Sequence, residues 1–428
     1  MRPLIPRSAL GLVVLLYLLA TATWAQPGSR AGWLAVHEGQ DHGGKEDSLP
    51  IPYSMAEPAD CERGKADIFQ CKRVDLLGHV GLPAVGAPQS ANDVWGWFDA
   101  RTGREYGLMG HSLGTTFVDV TDPRAPIVVG TLPTETVETA WRDIKVYGNW
   151  AYIVADGAPQ HGVQVFNLKR LRRAAPPEVF APNRVYDGVG SSHNIAINEE
   201  TGYAYAVGSD TCEGGLHMID LRRPARPTFA GCFSEDGYTH DAQCVVYRGP
   251  DEDYQGHEIC FAANEDTLTV VDVSDKNAPR LVARPTYEGA GYAHQGWLTE
   301  DHAWFFLDDE ADEAINDTNT RTLVWDVSDL DQPFVTGAHF SSKPSVDHNQ
   351  YVRGDLLFQS NYTRGLQVLR ILDPSRALLR EVARFDTHPE DNAKTFNGTW
   401  SVYPYLPSGT LLLNDRNRGL FVLGLRLR

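Results

Sequence analysis

A short polar step that opens into a strand recurs along this chain, and its spacing constrains the fold more than any other feature. It is plainest where Ser192, His193 and Asn194 lead into Ile195, Ala196 and Ile197. It returns at His240 and Asp241, at His294 and Gln295, and at His348 and Asn349, with weaker copies at Asp93, Asp143 and Asn397. Taking Asp93, Asp143, Asn194, Asp241, Gln295, Asn349 and Asn397 as equivalent, the intervals are 50, 51, 47, 54, 54 and 48 residues. A period near fifty residues written in strands is the mark of propeller blades. Seven copies predict an all-β chain folded as a seven-bladed β-propeller.

The third copy shows the plan of one blade. Gly202 turns the chain into the alternating run Tyr203 to Val207, a third strand follows over Leu216 to Leu221, and a turn holding Pro224 and Pro227 leads to a fourth over Thr228 to Phe233. Alternation of period two bounded by Gly and Pro is the strand signal at each step. Third strands end alike at Asp119, Asp272 and Asp326, where the carboxylate is expected to bond the following backbone amides. The seventh copy stops after its third strand, Leu420 to Leu425, so residues 74–80 are expected to supply its fourth and close the ring. Such a closure removes two exposed edges at once.

At the start, Arg2 and Arg7 precede an apolar run from Ala9 to Ala20, and Thr23, Trp24 and Ala25 offer a small-residue cleavage site. This reads as a signal peptide over 1–25, followed by a Gly-, Pro- and acid-rich linker over 26–60 and the propeller over 61–428. The formal charge is −18, and an acidic exported product lacks the clustered Lys and Arg that nucleic acid requires. No membrane span is expected after signal cleavage, and the chain is expected to act as a secreted or cell-surface monomer. Six cysteines in an exported chain favour disulfides. Cys244 and Cys260 fall at equal heights on antiparallel neighbours, Cys61 and Cys71 close a short loop, and Cys212 and Cys232 remain as the third pair.

Strand polarity places the polar steps and the exits of the second strands on one rim. Those exits are acidic or amidic: Asp156, Asp210, Asn264, Asp308, Asp309, Glu310, Asn361, Asn414 and Asp415. His193, His240, His294 and His348 are therefore expected around the solvent-facing mouth of the central channel, with Asn194, Asp241, Gln295 and Asn349 beside them. Imidazole suits a divalent ion such as Zn or Mn, and the acidic exits suit Ca. The same polar residues also cap loops routinely, so turn chemistry is a second reading. For an organic ligand, Trp95 and Trp141, with Trp297 and Trp400, would supply walls. The acidic run Asp308 to Asp317 lacks the spacing of an EF-hand loop and reads as a solvated loop. Ser112 sits in a G-x-S-x-G stretch, but the strand continuing at Thr115 denies it the helix a nucleophile elbow needs.

The stretches Asn92 to Trp97, Trp141 to Tyr147, Gly237 to Tyr247, Glu258 to Phe261, Ala293 to Asp301, Asp347 to Asn349 and Thr399 to Tyr405 resemble the choice-of-anchor B proteins, secreted bacterial propellers with LVIVD-type repeats. The resemblance runs from about Cys61 to Leu423 and implies export and a propeller fold. That family carries surface anchors that vary at its ends, and none follows the seventh copy here, which weighs against covalent attachment. The resemblance implies no particular reaction. Two functions stand open: a noncatalytic exported binding module for an extracellular protein, glycan or small molecule, or a metal-dependent hydrolase or lyase working in the channel mouth.

Overall fold

The computed structural model describes residues 56–427; the expected signal peptide, and the expected linker up to residue 55, lie outside them. Seven antiparallel sheets follow one another around an axis. Their innermost strands are Ala91–Asp99, Arg142–Tyr147, Asn194–Asn198, Asp241–Val246, Ala293–Leu298, Gln350–Arg353 and Thr399–Tyr403. The ring closes as the sequence leads one to expect. Val74–Val80 pairs antiparallel with Gly419–Leu425, from Val74 opposite Leu425 to Val80 opposite Leu420. Just before it, Ala59 exchanges both backbone hydrogen bonds with Leu76.

Two blades are wider than the four-strand plan. Phe69–Lys72 and Lys65–Ala66 extend the sixth blade beyond its fourth strand, and Glu178–Val179 runs parallel to Ile127–Pro133 on the first. The alternation of each strand sends apolar side chains into the seams between blades. One such seam joins Leu76, Phe69, Phe385, Phe421 and Leu423 with Phe358 and Leu413, all fully or nearly fully buried. Burial of apolar area at about 25 cal/mol per Å² is the main force holding blade to blade.

The repeated polar step adds a directional latch to these seams. Ile144 donates its backbone N–H to Asp93 Oδ2 (3.1 Å), Ile195 to Asp143 Oδ2 (2.8 Å) and Gln350 to Gln295 Oε1 (3.0 Å). Each side chain thus holds the backbone of the next blade, which is why the step recurs with the blade period. The seventh copy is set differently from the sequence alignment. His348 donates Nδ1–H to the carbonyl of Trp400, as His240 does to that of His294. Trp400 therefore takes the histidine position, and Ser401, rather than Asn397, takes the position of Asn349.

All three disulfides form as paired above, with Cys244 directly opposite Cys260. The third-strand aspartates bond the amide two residues on, at 3.0 Å for Asp119, Asp272 and Asp326. They fix turns. Ser112 lies in the tight turn between Arg104–His111 and Gly114–Asp119, its hydroxyl accepting from Gln89 N–H at 3.2 Å, and no helix follows it.

Candidate functional site

The four histidines form one stacked row at one end of the channel. Ring centroids are 4.4 Å apart from His193 to His240, 4.0 Å from His240 to His294 and 4.4 Å from His294 to His348. Each Nδ1 is held from behind: His193 by Asp156 Oδ2 (3.0 Å), His240 by the His294 carbonyl (2.8 Å), His294 by Asp308 Oδ1 (3.1 Å) and His348 by the Trp400 carbonyl. A carbonyl accepts only from a protonated Nδ1, so in His240 and His348 the other nitrogen, Nε2, carries the lone pair in the neutral ring.

Glu310, from the exit of the fifth blade's second strand, closes the group. Its Oε2 lies 3.6 Å from His294 Nε2, its Oε1 lies 3.6 Å from His348 Nε2, and it accepts the Tyr362 hydroxyl at 2.6 Å. Ligand atoms of His240, His294 and Glu310 all fall within 4.8 Å of one another. His240 is 2% exposed, yet its Nε2 has no hydrogen-bond partner. Burial, and next to it His294 and His193, hold its pKa well below the ordinary imidazole value, so the ring is neutral and able to ligate.

Of the solvated acidic loop expected at 308–317, residues 308–313 instead form a buried wall behind this row, while 314–317 stay exposed and Asp317 is solvated. Asp308, Asp309, Glu310, Asp312 and Glu313 are at most 2% exposed, as is Asp347 from the next blade. Arg321 pairs with Asp312 and Asp309, while Asp309 also accepts from Tyr287, Gly291 and Tyr292. Burial, followed by the neighbouring carboxylates, raises the pKa of Asp308, Asp312, Glu313 and Asp347 well above the usual range. Oδ2 of Asp308, Oδ1 of Asp312, Oε2 of Glu313 and both oxygens of Asp347 lack hydrogen-bond partners. The wall combines carboxyls whose pKa is raised with oxygens that lack a hydrogen-bond partner.

The histidines are not at a solvent-facing rim but buried, with Tyr292 against His240 and with Tyr362 and Trp400 against His348, and Trp141 packs on these aromatic groups. From the second blade it packs against Tyr292 and Ala311 of the fifth and against Val346, Tyr362, Phe396 and Trp400 of the sixth and seventh. Asn92 and Arg142 hold the histidine position in blades one and two; Arg142 is 2% exposed and reaches the His111 carbonyl and His161. The amide of Asn194 donates to the His240 carbonyl (3.0 Å), that of Asn349 to Ser401 Oγ (3.2 Å), and Gln295 serves in the latch. These three brace the layer beneath the histidines.

Trp95 and Trp297 lie two residues beyond the latch position, and the alternation carries them down the channel, away from Trp141 and Trp400. Together with Tyr351, Tyr403 and Tyr405 they line a cavity of about 370 Å³ at the opposite end. Asp241 lies on its inner side, its pKa raised to about 7, chiefly by burial. Between the two ends, Lys145 Nζ sits 2.5 Å from Asp143 and 3.8 Å from Asp93.

Residues 140–158 and 259–286 match the LVIVD repeat. The first match covers the inner two strands of blade two, with the latch residue Asp143; the second runs from the second strand of blade four past its fourth. The fold is similar to that of a protein from Lactobacillus plantarum at 14% identity, covering 79% of this chain and 92% of that one with a TM-score of 0.54. It is also similar to U3-55K, at 10% identity over 82% of this chain and 98% of that one, TM-score 0.52. A periplasmic gluconolactonase of Pseudomonas aeruginosa aligns at 12% identity over 69% and 85% with a TM-score of 0.45. No curated protein matches the sequence. At these identities the first two likenesses speak for the fold alone, and with the repeat matches they describe a seven-bladed β-propeller that carries LVIVD repeats.

Proposed function

We propose that this protein is an exported propeller of the choice-of-anchor B kind that works through a divalent metal centre under Trp141. His240, His294 and Glu310 are the ligands, with His348 beside them, and the reaction is a hydrolysis or elimination on a small polar substrate. The observation that carries this reading is the convergence of His240, His294 and Glu310 within 4.8 Å, with a buried, unpartnered Nε2 on His240. Nδ1 atoms anchored on carbonyls and a carboxylate are what orient imidazole ligands in metal sites. Two imidazoles and one carboxylate favour Zn or Mn over Ca. Held by three protein residues, such an ion would lower the pKa of a bound water, and Asp308 and Asp347, whose pKa burial raises, stand in the acidic wall behind the ligands. Three disulfides suit an oxidising compartment, and among the described residues no helix is long and apolar enough to cross a membrane.

Metal analysis of untagged mature protein, dialysed after incubation with Zn or Mn, tests this. One ion per chain is expected, with loss from His240→Ala and Glu310→Gln. A metal-free wild type, or full retention by both variants, refutes the centre.

A further inference from the structure

The cavity at the far end of the channel has a chemistry unlike that of the histidine row. Five aromatic side chains form its walls: Trp95, Trp297, Tyr351, Tyr403 and Tyr405. Neighbouring rings meet at steep angles, 67° between Trp297 and Tyr351, 82° between Tyr351 and Tyr405, 76° between Tyr403 and Tyr405, 58° between Trp95 and Tyr403. Rings joined this way make the sides of a box instead of a stack. Its volume, about 370 Å³, lies within the ordinary range for small-molecule pockets.

The charge at the entrance of the box is negative. Glu300 and Glu199 line it, the pKa of Glu199 raised by burial, while Asp241, raised to about 7, adds only part of a charge; the single Lys145 on the lining is already paired with Asp143. The ammonium of Lys145 lies 4.7 Å from the centre of the Trp95 ring, so this wall holds one cation already. Among the described residues no lysine or arginine lies over Trp297, Tyr351, Tyr403 or Tyr405; nearby Arg353 is directed to the Pro404 carbonyl and the Phe358 ring. Glu300 is fixed at the rim by Gly354 N–H (2.8 Å). Hydrogen-bonding capacity for sugar hydroxyls is reduced, since the Tyr405 hydroxyl donates to the Val352 carbonyl and Gln243 Oε1 accepts from Leu298 N–H.

We propose that this aromatic box is a second binding site, separate from the metal centre, and that it takes a small organic cation bearing a methylated or quaternary ammonium group. The ring faces attract the cation through their quadrupoles, and Glu199 and Glu300 add charge at the entrance. Because an ammonium with methyl groups is weakly hydrated, it enters such a box at little desolvation cost, which a compact, strongly hydrated ammonium does not.

Titration calorimetry on the full mature chain with choline, with its neutral isostere 3,3-dimethylbutan-1-ol, and with methyl β-glucoside tests the assignment. Choline is expected to bind saturably, with the isostere roughly tenfold or more weaker, the size of one to two cation–π contacts. Trp297→Ala and, as a variant that leaves the walls intact, Glu300→Gln are each expected to weaken choline while their circular dichroism and metal content stay as in the wild type. Equal binding of the isostere, binding of the glucoside in place of choline, absence of saturable choline binding, or unchanged affinity in folded Glu300→Gln and Trp297→Ala would overturn it. Metal content is read separately, so failure here is distinguishable from failure of the metal centre.

Discussion

Replacing His240 with Ala separates a metal ligand from a structural histidine, because the two roles differ in what metal does to stability. In the wild type the imidazole stacks between His193 and His294 and donates Nδ1–H to the His294 carbonyl at 2.8 Å. Its loss removes one hydrogen bond, about 1 kcal/mol, and leaves a small buried gap, so the metal-free variant should be less stable by about 2 to 3 kcal/mol. Binding adds a term of a different kind. At a free metal concentration of one hundred times Kd, the native state gains about 2.7 kcal/mol. Urea unfolding with and without Zn should therefore show an upward midpoint shift in the wild type and almost none in His240→Ala. The pH dependence has a fixed sign. Since the folded pKa of His240 is lowered, the unfolded chain takes up the proton first, and the metal-free protein should lose stability as pH falls through about 6.5. In His240→Ala that contribution should vanish. A variant that keeps the whole metal-induced shift would show that His240 serves packing alone.

Two further predictions concern the frame. Leu76 is fully buried in the closing strand beside Phe421 and Leu423, so Leu76→Ala should destabilise by about 3 kcal/mol, read as a lower unfolding midpoint; a change below about 1 kcal/mol would mean the ring does not depend on that strand. Asp386 is buried in the sixth blade, and burial raises its pKa to about 7 against the stabilising bond from His388 N–H (2.9 Å). The folded state then holds a proton that the unfolded state has released, so stability should fall as pH rises from about 4 to about 7, and Asp386→Asn should remove part of that fall, on the order of 1 kcal/mol or more at pH 8. An unchanged pH profile of melting in the variant would contradict it.

The fold was legible because the latch has to recur. Asp93, Asp143 and Gln295 each accept from the backbone of the following blade, and Asn194 and Asn349 donate to it or to its side chain, so these seams repeat a polar side chain at nearly fixed intervals even where the bond itself differs. The misplacement at Asn397 has the same origin. Where the latch is a serine, Ser401, the strongest amide nearby draws the alignment four residues too early. Cys244 and Cys260 could be paired by counting from neighbouring latch and exit positions, since antiparallel register converts sequence offset into height. The extra strands at 65–66, 69–72 and 178–179 had no such rule behind them, being short and outside the repeat.

The site was legible only as far as one layer of the repeat. Histidine at the step before the latch is visible in four consecutive copies, and the ring geometry brings those four into contact. Glu310 was in view as one of the second-strand exits, but six acids within ten residues from Asp308 to Asp317 look like a solvated loop when charge is counted without neighbours. What turns its first part, 308–313, inward is Arg321 bonding Asp309 and Asp312, together with Trp141 of blade two packed against Tyr292 and Ala311; neither is a periodic feature. The aromatic box was seen only in part, for the opposite reason: Trp95 and Trp297 were read as ligand walls but set at one mouth with Trp141 and Trp400, because a periodic signal was taken one step too coarsely. Trp95, Trp297 and Tyr351 each stand two places after the latch, and in a strand two places means the same face and about 7 Å further along. Seven inner strands running the same way therefore turn one register into the histidine end and the next into a separate layer, so a single repeat unit builds two chemically different mouths on one channel.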